Sequence, residues 1–172
     1  MLTARLMAFA TVLAGAACAD KPVQGPTLPP PGPGITAYVT VDNLHALPGQ
    51  TVRVSVEVLS GTASLKVGSY TGRLKFDPAG LTFKREITLS DGLRVANANN
   101  AATGEIRFAG ANATGFVTTT LYSAEFVVKN GDYAGKLTLQ MQELSAARSL
   151  QNLTSQLRLA PQVYQAPATV KP

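Results

Sequence analysis

His45 and Cys18 are the only histidine and the only cysteine among the 172 residues. Nucleophilic catalysis needs a base oriented by an acid beside a nucleophile, and His45 has no serine motif next to it. Zinc takes several Cys or His ligands; this chain offers one of each. Glycoside hydrolysis needs two carboxylates facing across a cleft. Glu57, Glu86, Glu105, Glu125 and Glu143 instead stand singly, on or at the ends of predicted strands, with no loop long enough to build a cleft. The stretch from Gly110 to Gly115 lacks the lysine and the strand-to-helix setting of a phosphate loop. Asp132 near Asn130 reads as a turn, not as a calcium loop. The expectation is a non-enzyme with no catalytic residues, no metal ligands and no cofactor.

Cys18 has one further chemistry, lipidation. Residues 1–19 read as an export signal: Arg5 supplies the positive start, Leu6 to Ala17 is apolar, and small residues follow in Ala14-Gly15-Ala16-Ala17-Cys18-Ala19. The apolar run is shorter than the roughly 20 residues a bilayer span needs. Two processing routes stay open: acylation of Cys18 after cleavage before it, or simple cleavage after Ala19, where Ala17 and Ala19 fit the small-x-small rule. The expected location is outside the cytoplasm, at the cell surface or in the periplasm. The chain is lipid-anchored there if Cys18 is acylated and secreted otherwise. A single cysteine allows no disulfide within the chain, so the fold must stand on its core. Asn112-Ala113-Thr114 and Asn152-Leu153-Thr154 match the glycosylation acceptor pattern and are read as coincidence.

The formal charge of +5 comes from scattered residues, with charged types only 15% of the chain. Nucleic-acid binding wants a basic stripe interleaved with aromatic rings, so no nucleic-acid partner is expected. Residues 20–34 contain KPVQGPTLPPPGPG, a proline-rich linker of extended, semi-rigid character or a plain leader. Residues 164–172 read as a disordered tail.

Between linker and tail lie strand patterns broken by turn signals. Strands are expected at 35–41, 51–59, 69–76, 81–89, 93–97, 105–111, 119–128, 136–144 and 156–163. The clearest is the second, where Val52, Val54, Val56 and Val58 alternate with Arg53, Ser55 and Glu57. Leu47-Pro48-Gly49-Gln50, Asp91-Gly92 and Asn130-Gly131 mark turns. About nine strands with turns every 8–12 residues, and no three-turn amphipathic helix, define an all-β, antiparallel sandwich over 35–163. The stretch 144–153 reads as a loop with a helical turn.

The corner SYTGRLKFDPAGLTF, from Ser69 to Phe83, fixes register. Leu74 and Phe76 point one way; Thr71, Arg73 and Lys75 point the other. Asp77 caps the following amides, Pro78 takes the first helical position, and Gly80 is expected to end the turn in the left-handed conformation.

These segments in order resemble a cohesin domain, the module by which bacterial scaffolding proteins capture dockerin-bearing partners. The resemblance covers roughly 36–159. It rests on Val39-Thr40-Val41, on Pro48-Gly49-Gln50-Thr51-Val52 and on Leu74-Lys75-Phe76-Asp77-Pro78 with Leu81. Gly104 to Ala111 and Leu121 to Val128 complete it. It implies a nine-stranded sandwich of jelly-roll topology that binds one helix-rich protein on an exposed sheet face. It places Ser69, Thr71, Asn100 and Asn112 on that face; the alternation of the corner strand adds Arg73 and Lys75. The expected function is thus an exported, non-catalytic module for a dockerin-type partner, in a setting of polysaccharide degradation. Two other readings are a carbohydrate-binding module, which would stack sugars on aromatic rings, and a structural subunit of a surface or secretion assembly.

Overall fold

The computed structural model describes residues 28–29, 34–61 and 65–167. The expected signal (1–19), Cys18, nearly all of the linker and the tail beyond 167 lie outside the described residues. Nine strands follow one another: β1 (Ile35–Val41), β2 (Thr51–Ser60), β3 (Val67–Lys75), β4 (Leu81–Glu86), β5 (Leu93–Asn97), β6 (Glu105–Ala111), β7 (Thr120–Val128), β8 (Thr138–Ala146) and β9 (Leu157–Gln165). They form a five-stranded sheet, ordered β4-β7-β2-β1-β9, and a four-stranded sheet, ordered β5-β6-β3-β8. Every pairing is antiparallel except β1 with β9, which run parallel.

The period of two decides which side chains lie between the sheets. Val52, Val54, Val56 and Val58 of β2 are all buried, as are Leu74 and Phe76 at the corner and Ile106 and Phe108 of β6. Phe108 stacks on Tyr122 at 5.1 Å, and Phe126 meets Phe76 edge-on at 5.0 Å, so rings join the two sheets. On the outward side of the five-stranded sheet, Ser55 and Ser123 are buried and satisfy one another at 2.9 Å.

The corner holds as expected except at its end. Asp77 Oδ1 accepts the Ala79 N–H at 2.8 Å, and the Asp77 carbonyl accepts the N–H groups of Gly80 and Leu81. Gly80 is not left-handed. It is small because a Cβ there would lie 3.3 Å from the Cβ of Tyr133. The left-handed glycine the corner needs is Gly104, at φ 83, whose carbonyl accepts the Phe76 N–H at 2.9 Å.

Two strand ends differ from expectation for reasons of burial. β8 runs on to Ala146, because Leu144 and Ala146 are both buried. β9 continues to Gln165, two residues past 163, because Tyr164 is buried with its ring edge-on to Tyr38 at 5.8 Å. Asn130-Gly131 opens no hairpin: β7 and β8 belong to different sheets, and the connection crosses between them through a 3-10 turn at Ala134–Lys136.

Candidate functional site

Ser69, Thr71, Arg73 and Lys75 occupy alternate positions of β3 and share its outward side, while Tyr70 and Leu74 between them are buried. The register extends this line into a face. Leu93, Ala111, Ser69 and Ser145 form one row across β5, β6, β3 and β8. Val95, Ala109, Thr71 and Glu143 form the next, and Asn97, Arg107, Arg73 and Gln140 the third. Glu105, Lys75 and Thr138 close it. The first two rows are apolar or small on β5 and β6; the last two are charged and polar.

Leu93 and Val95 are 69% and 58% exposed. Beside Val95 lies a shallow depression of about 270 Å³, lined by Thr71, Val95, Asn97, Arg107, Ala109 and Gln142. Its floor is low because Ala109 and Thr71 are small. Its far wall is Gln142, the extra residue where the β3–β8 register shifts between Thr71 and Gly72; a bulge re-aims a side chain in this way. In the charged rows Arg73 and Arg107 stand directly opposite each other, which is unfavourable unless neutralised. Glu105 neutralises them, with Arg107 Nε at 2.8 Å and Arg73 Nη1 at 3.9 Å. The Arg107 hydrogen bond accordingly holds the Glu105 carboxyl below the usual carboxylate range. Three cations (Arg73, Lys75, Arg107) therefore face two carboxylates (Glu105, Glu143).

Asn100 and Asn112 are not part of this cluster. They lie beyond opposite ends of β6. Asn100 is exposed in the β5–β6 connection, and its carbonyl accepts the Thr103 hydroxyl at 2.9 Å. Asn112 turns its side-chain oxygen onto its own loop, accepting from the Thr114 N–H at 3.0 Å and hydroxyl at 2.9 Å.

Leu93, Val95, Ala109 and Gln142 escaped the sequence reading. In Leu93-Arg94-Val95, the alternation rule would bury the apolar pair and expose the arginine. The structure inverts this because Arg94 has a complete set of partners inside. Its side chain is 8% exposed. Nη1 donates to the Tyr70 hydroxyl (2.9 Å) and to the carbonyls of Thr120 (2.8 Å) and Leu121 (2.9 Å). Nη2 meets Asp91 Oδ1 at 2.5 Å and Nε the Asp91 carbonyl at 2.9 Å. The guanidinium lies 4.4 Å over the Phe116 ring. Burial pushes the Asp91 carboxyl up, but the Thr118 N–H, Arg94 and the Val117 N–H outweigh it and hold the group at about 2. The signal available in the sequence was the Asp91–Arg94 spacing across a turn. The hub locks β5 with its two apolar side chains outward.

Among the described residues no cluster of His, Cys, Asp and Glu has the make-up of a metal site. His45 lies in the β1–β2 connection, at the opposite end of the sandwich from the Arg94–Asp91 hub.

Two sheets of five and four strands, packed face to face, make a sandwich of the jelly-roll class. Comparison with solved structures specifies it further. The second type II cohesin module of the ScaA scaffoldin of Acetivibrio cellulolyticus superposes with a TM-score of 0.54 at 12% identity, over 76% of this chain and 94% of that one. A non-cellulosomal cohesin of the archaeon Archaeoglobus fulgidus gives 0.54 at 20% identity, over 72% and 86%. The sixth cohesin of scaffoldin B of A. cellulolyticus, solved in complex with a Cel5 dockerin mutant, gives 0.54 at 15% identity, over 76% and 99%. No family model and no curated protein sequence matches the chain. The described domain has the cohesin fold.

Proposed function

We propose that this chain is an exported, non-catalytic interaction module that captures a protein partner on the outward face of its four-stranded sheet. The observation that carries the reading is the inversion of β5. Leu93 and Val95 stand exposed beside a small-residue depression, and the largely buried Arg94–Asp91 ion pair holds them there. Exposed apolar side chains beside a depression and ringed by charged groups fit a protein interface. Four strands spaced about 4.8 Å apart and about seven residues long give a face roughly 15 by 23 Å. That accommodates one or two α-helices of about 10 Å diameter. A helical, dockerin-type partner fits these dimensions, and solved cohesins of this fold were crystallised with dockerins. Anchoring through Cys18 and a role beside polysaccharide-degrading enzymes complete the proposal.

Carbohydrate binding by ring stacking finds little support. All five tyrosines are buried, the chain has no tryptophan, and among the described phenylalanines only Phe83 is not buried.

The test is capture from the culture fluid of the organism that makes the protein, with the full chain as bait. Wild type should enrich dockerin-bearing proteins, and a Leu93→Glu/Val95→Glu bait, folded by circular dichroism, should lose them. Equal capture by both baits would refute the assignment of the face.

A further inference from the structure

The strands alternate in direction so that the loops divide into two groups. Gly34, Gly61, Leu65 and Lys66, and the loops 87–92, 112–119 and 147–156 gather at one end. The described residues of these loops carry two cations, Lys66 and Arg148, and one acid, Asp91, which Arg94 already neutralises. At the strand ends here, Arg158, exposed at the start of β9, adds a third cation and Glu86, exposed at the end of β4, a second acid. The opposite end differs in sign: Asp42, Asp77 and Asp132 lie there with Lys129 and Lys136. Neither Lys66 nor Arg148 forms an ion pair among the described residues.

The same end holds the two most exposed large apolar side chains of the described chain, Val117 at 82% and Leu150 at 77%. Leu150 is held out on a costly backbone. Arg148 (φ 62) and Leu150 (φ 54) are the only non-glycine residues in the left-handed region among those described. The sequence reading of 144–153 as a loop with a helical turn missed this pair. The loops that carry these residues form one surface. Ala147 N–H donates to the Lys66 carbonyl at 2.8 Å, and Phe116 N–H to the Val67 carbonyl at 2.9 Å. The chain enters the sandwich at this end, where Gly61 N–H donates to the Gly34 carbonyl at 2.9 Å. The stretch from Cys18 to Gly34 can reach at most roughly 55 Å.

We infer that this end of the sandwich docks on an anionic lipid surface. Val117 and Leu150 enter the interfacial region, and Lys66 and Arg148 meet lipid phosphates. Apolar tips flanked by cations are what such a surface binds, and the entry of the linker here is compatible with it. The inference takes the exported location from the proposed function, but it uses neither the partner face nor acylation of Cys18.

Hydrogen exchange on the full chain tests it, with vesicles of phosphatidylcholine alone or mixed with phosphatidylglycerol. Amides in 112–119 and 147–151 should exchange several-fold more slowly with the anionic vesicles and at the free rate with the neutral ones. Lys66→Gln with Arg148→Gln should weaken vesicle binding by about thirtyfold, and Val117→Ser with Leu150→Ser should abolish the protection. Sedimentation with vesicles while both loops exchange at the free rate would overturn the inference and leave anchoring elsewhere in the chain standing. Protection that depends on protein concentration without vesicles would overturn it in favour of a second copy. Loss of partner capture by Leu93→Glu/Val95→Glu should leave loop protection unchanged, so the two proposals fail separately.

Discussion

Replacing Arg94 with methionine removes the group that inverts β5. The substitution keeps side-chain length and some packing over Phe116, but it strips the Asp91 carboxylate of its cation and takes a charged donor from the Tyr70 hydroxyl and the Thr120 and Leu121 carbonyls, the last of which keeps the Tyr70 hydroxyl as donor. Removing one partner of a buried pair costs about 3–5 kcal/mol. Burying the methionine offsets about 1 kcal/mol of that. Asp91 is still 15% exposed and keeps the Val117 and Thr118 N–H groups, which places the cost at the lower end, about 3 kcal/mol. Against a typical stability of about 5–15 kcal/mol and a urea slope of about 1.5 kcal/mol/M, the midpoint should fall by about 2 M. Equilibrium urea unfolding of wild type, Asp91→Asn, Arg94→Met and the double variant measures this. The double should cost at least about 1.5 kcal/mol less than the sum of the singles. An Arg94→Met cost below about 1 kcal/mol, or simple additivity, would refute the reasoning that the hub orients β5.

Further outcomes follow from particular residues. Because Asp91 is held at about 2, against about 3.9 in an unfolded chain, its contribution is fully present above about pH 4. It is lost as pH falls through about 2, on the order of 2 kcal/mol. Urea titrations at pH 5 and pH 2 should show this loss in wild type, and Asp91→Asn should lack that part of it. Gly104→Ala places a Cβ 2.1 Å from the Phe76 carbonyl oxygen at φ 83, whereas at Gly49, φ 87, nothing lies within 4 Å. Thermal unfolding should therefore show about 1 kcal/mol lost for Gly49→Ala, the conformational term alone, and at least twice that for Gly104→Ala.

The positions of the strands, the valine face of β2 and the corner at Asp77 were legible because each rests on local alternation or turn chemistry. All nine expected strands exist, with ends moved by up to three residues: burial of Ala146 and Tyr164 carries β8 and β9 onward, while β4 stops at Glu86, short of the expected 89. Gly80 was misassigned because a glycine after a capped turn satisfies the local rule equally well whether φ is positive or the side chain is simply crowded out. The face itself was half legible. Thr71, Arg73 and Lys75 follow from one strand's alternation, but Ala109, Val95 and Gln142 depend on how three further strands register against β3. A single buried arginine reversed the rule for β5, and its partners Thr120 and Leu121 lie in the other sheet, a long-range fact that no short window contains.

The central claim is that the outward face of β5, β6, β3 and β8 binds the partner. The direct measurement is calorimetric titration of the captured partner against wild type, Val95→Glu and Arg53→Glu. Arg53 is exposed on β2 of the other sheet. An apolar anchor packed at an interface is worth about 2 kcal/mol, so Val95→Glu should weaken Kd by about thirtyfold while Arg53→Glu leaves it unchanged. A Val95→Glu protein that binds as tightly as wild type, with Arg53→Glu impaired instead, would contradict the account and move the site to the five-stranded sheet.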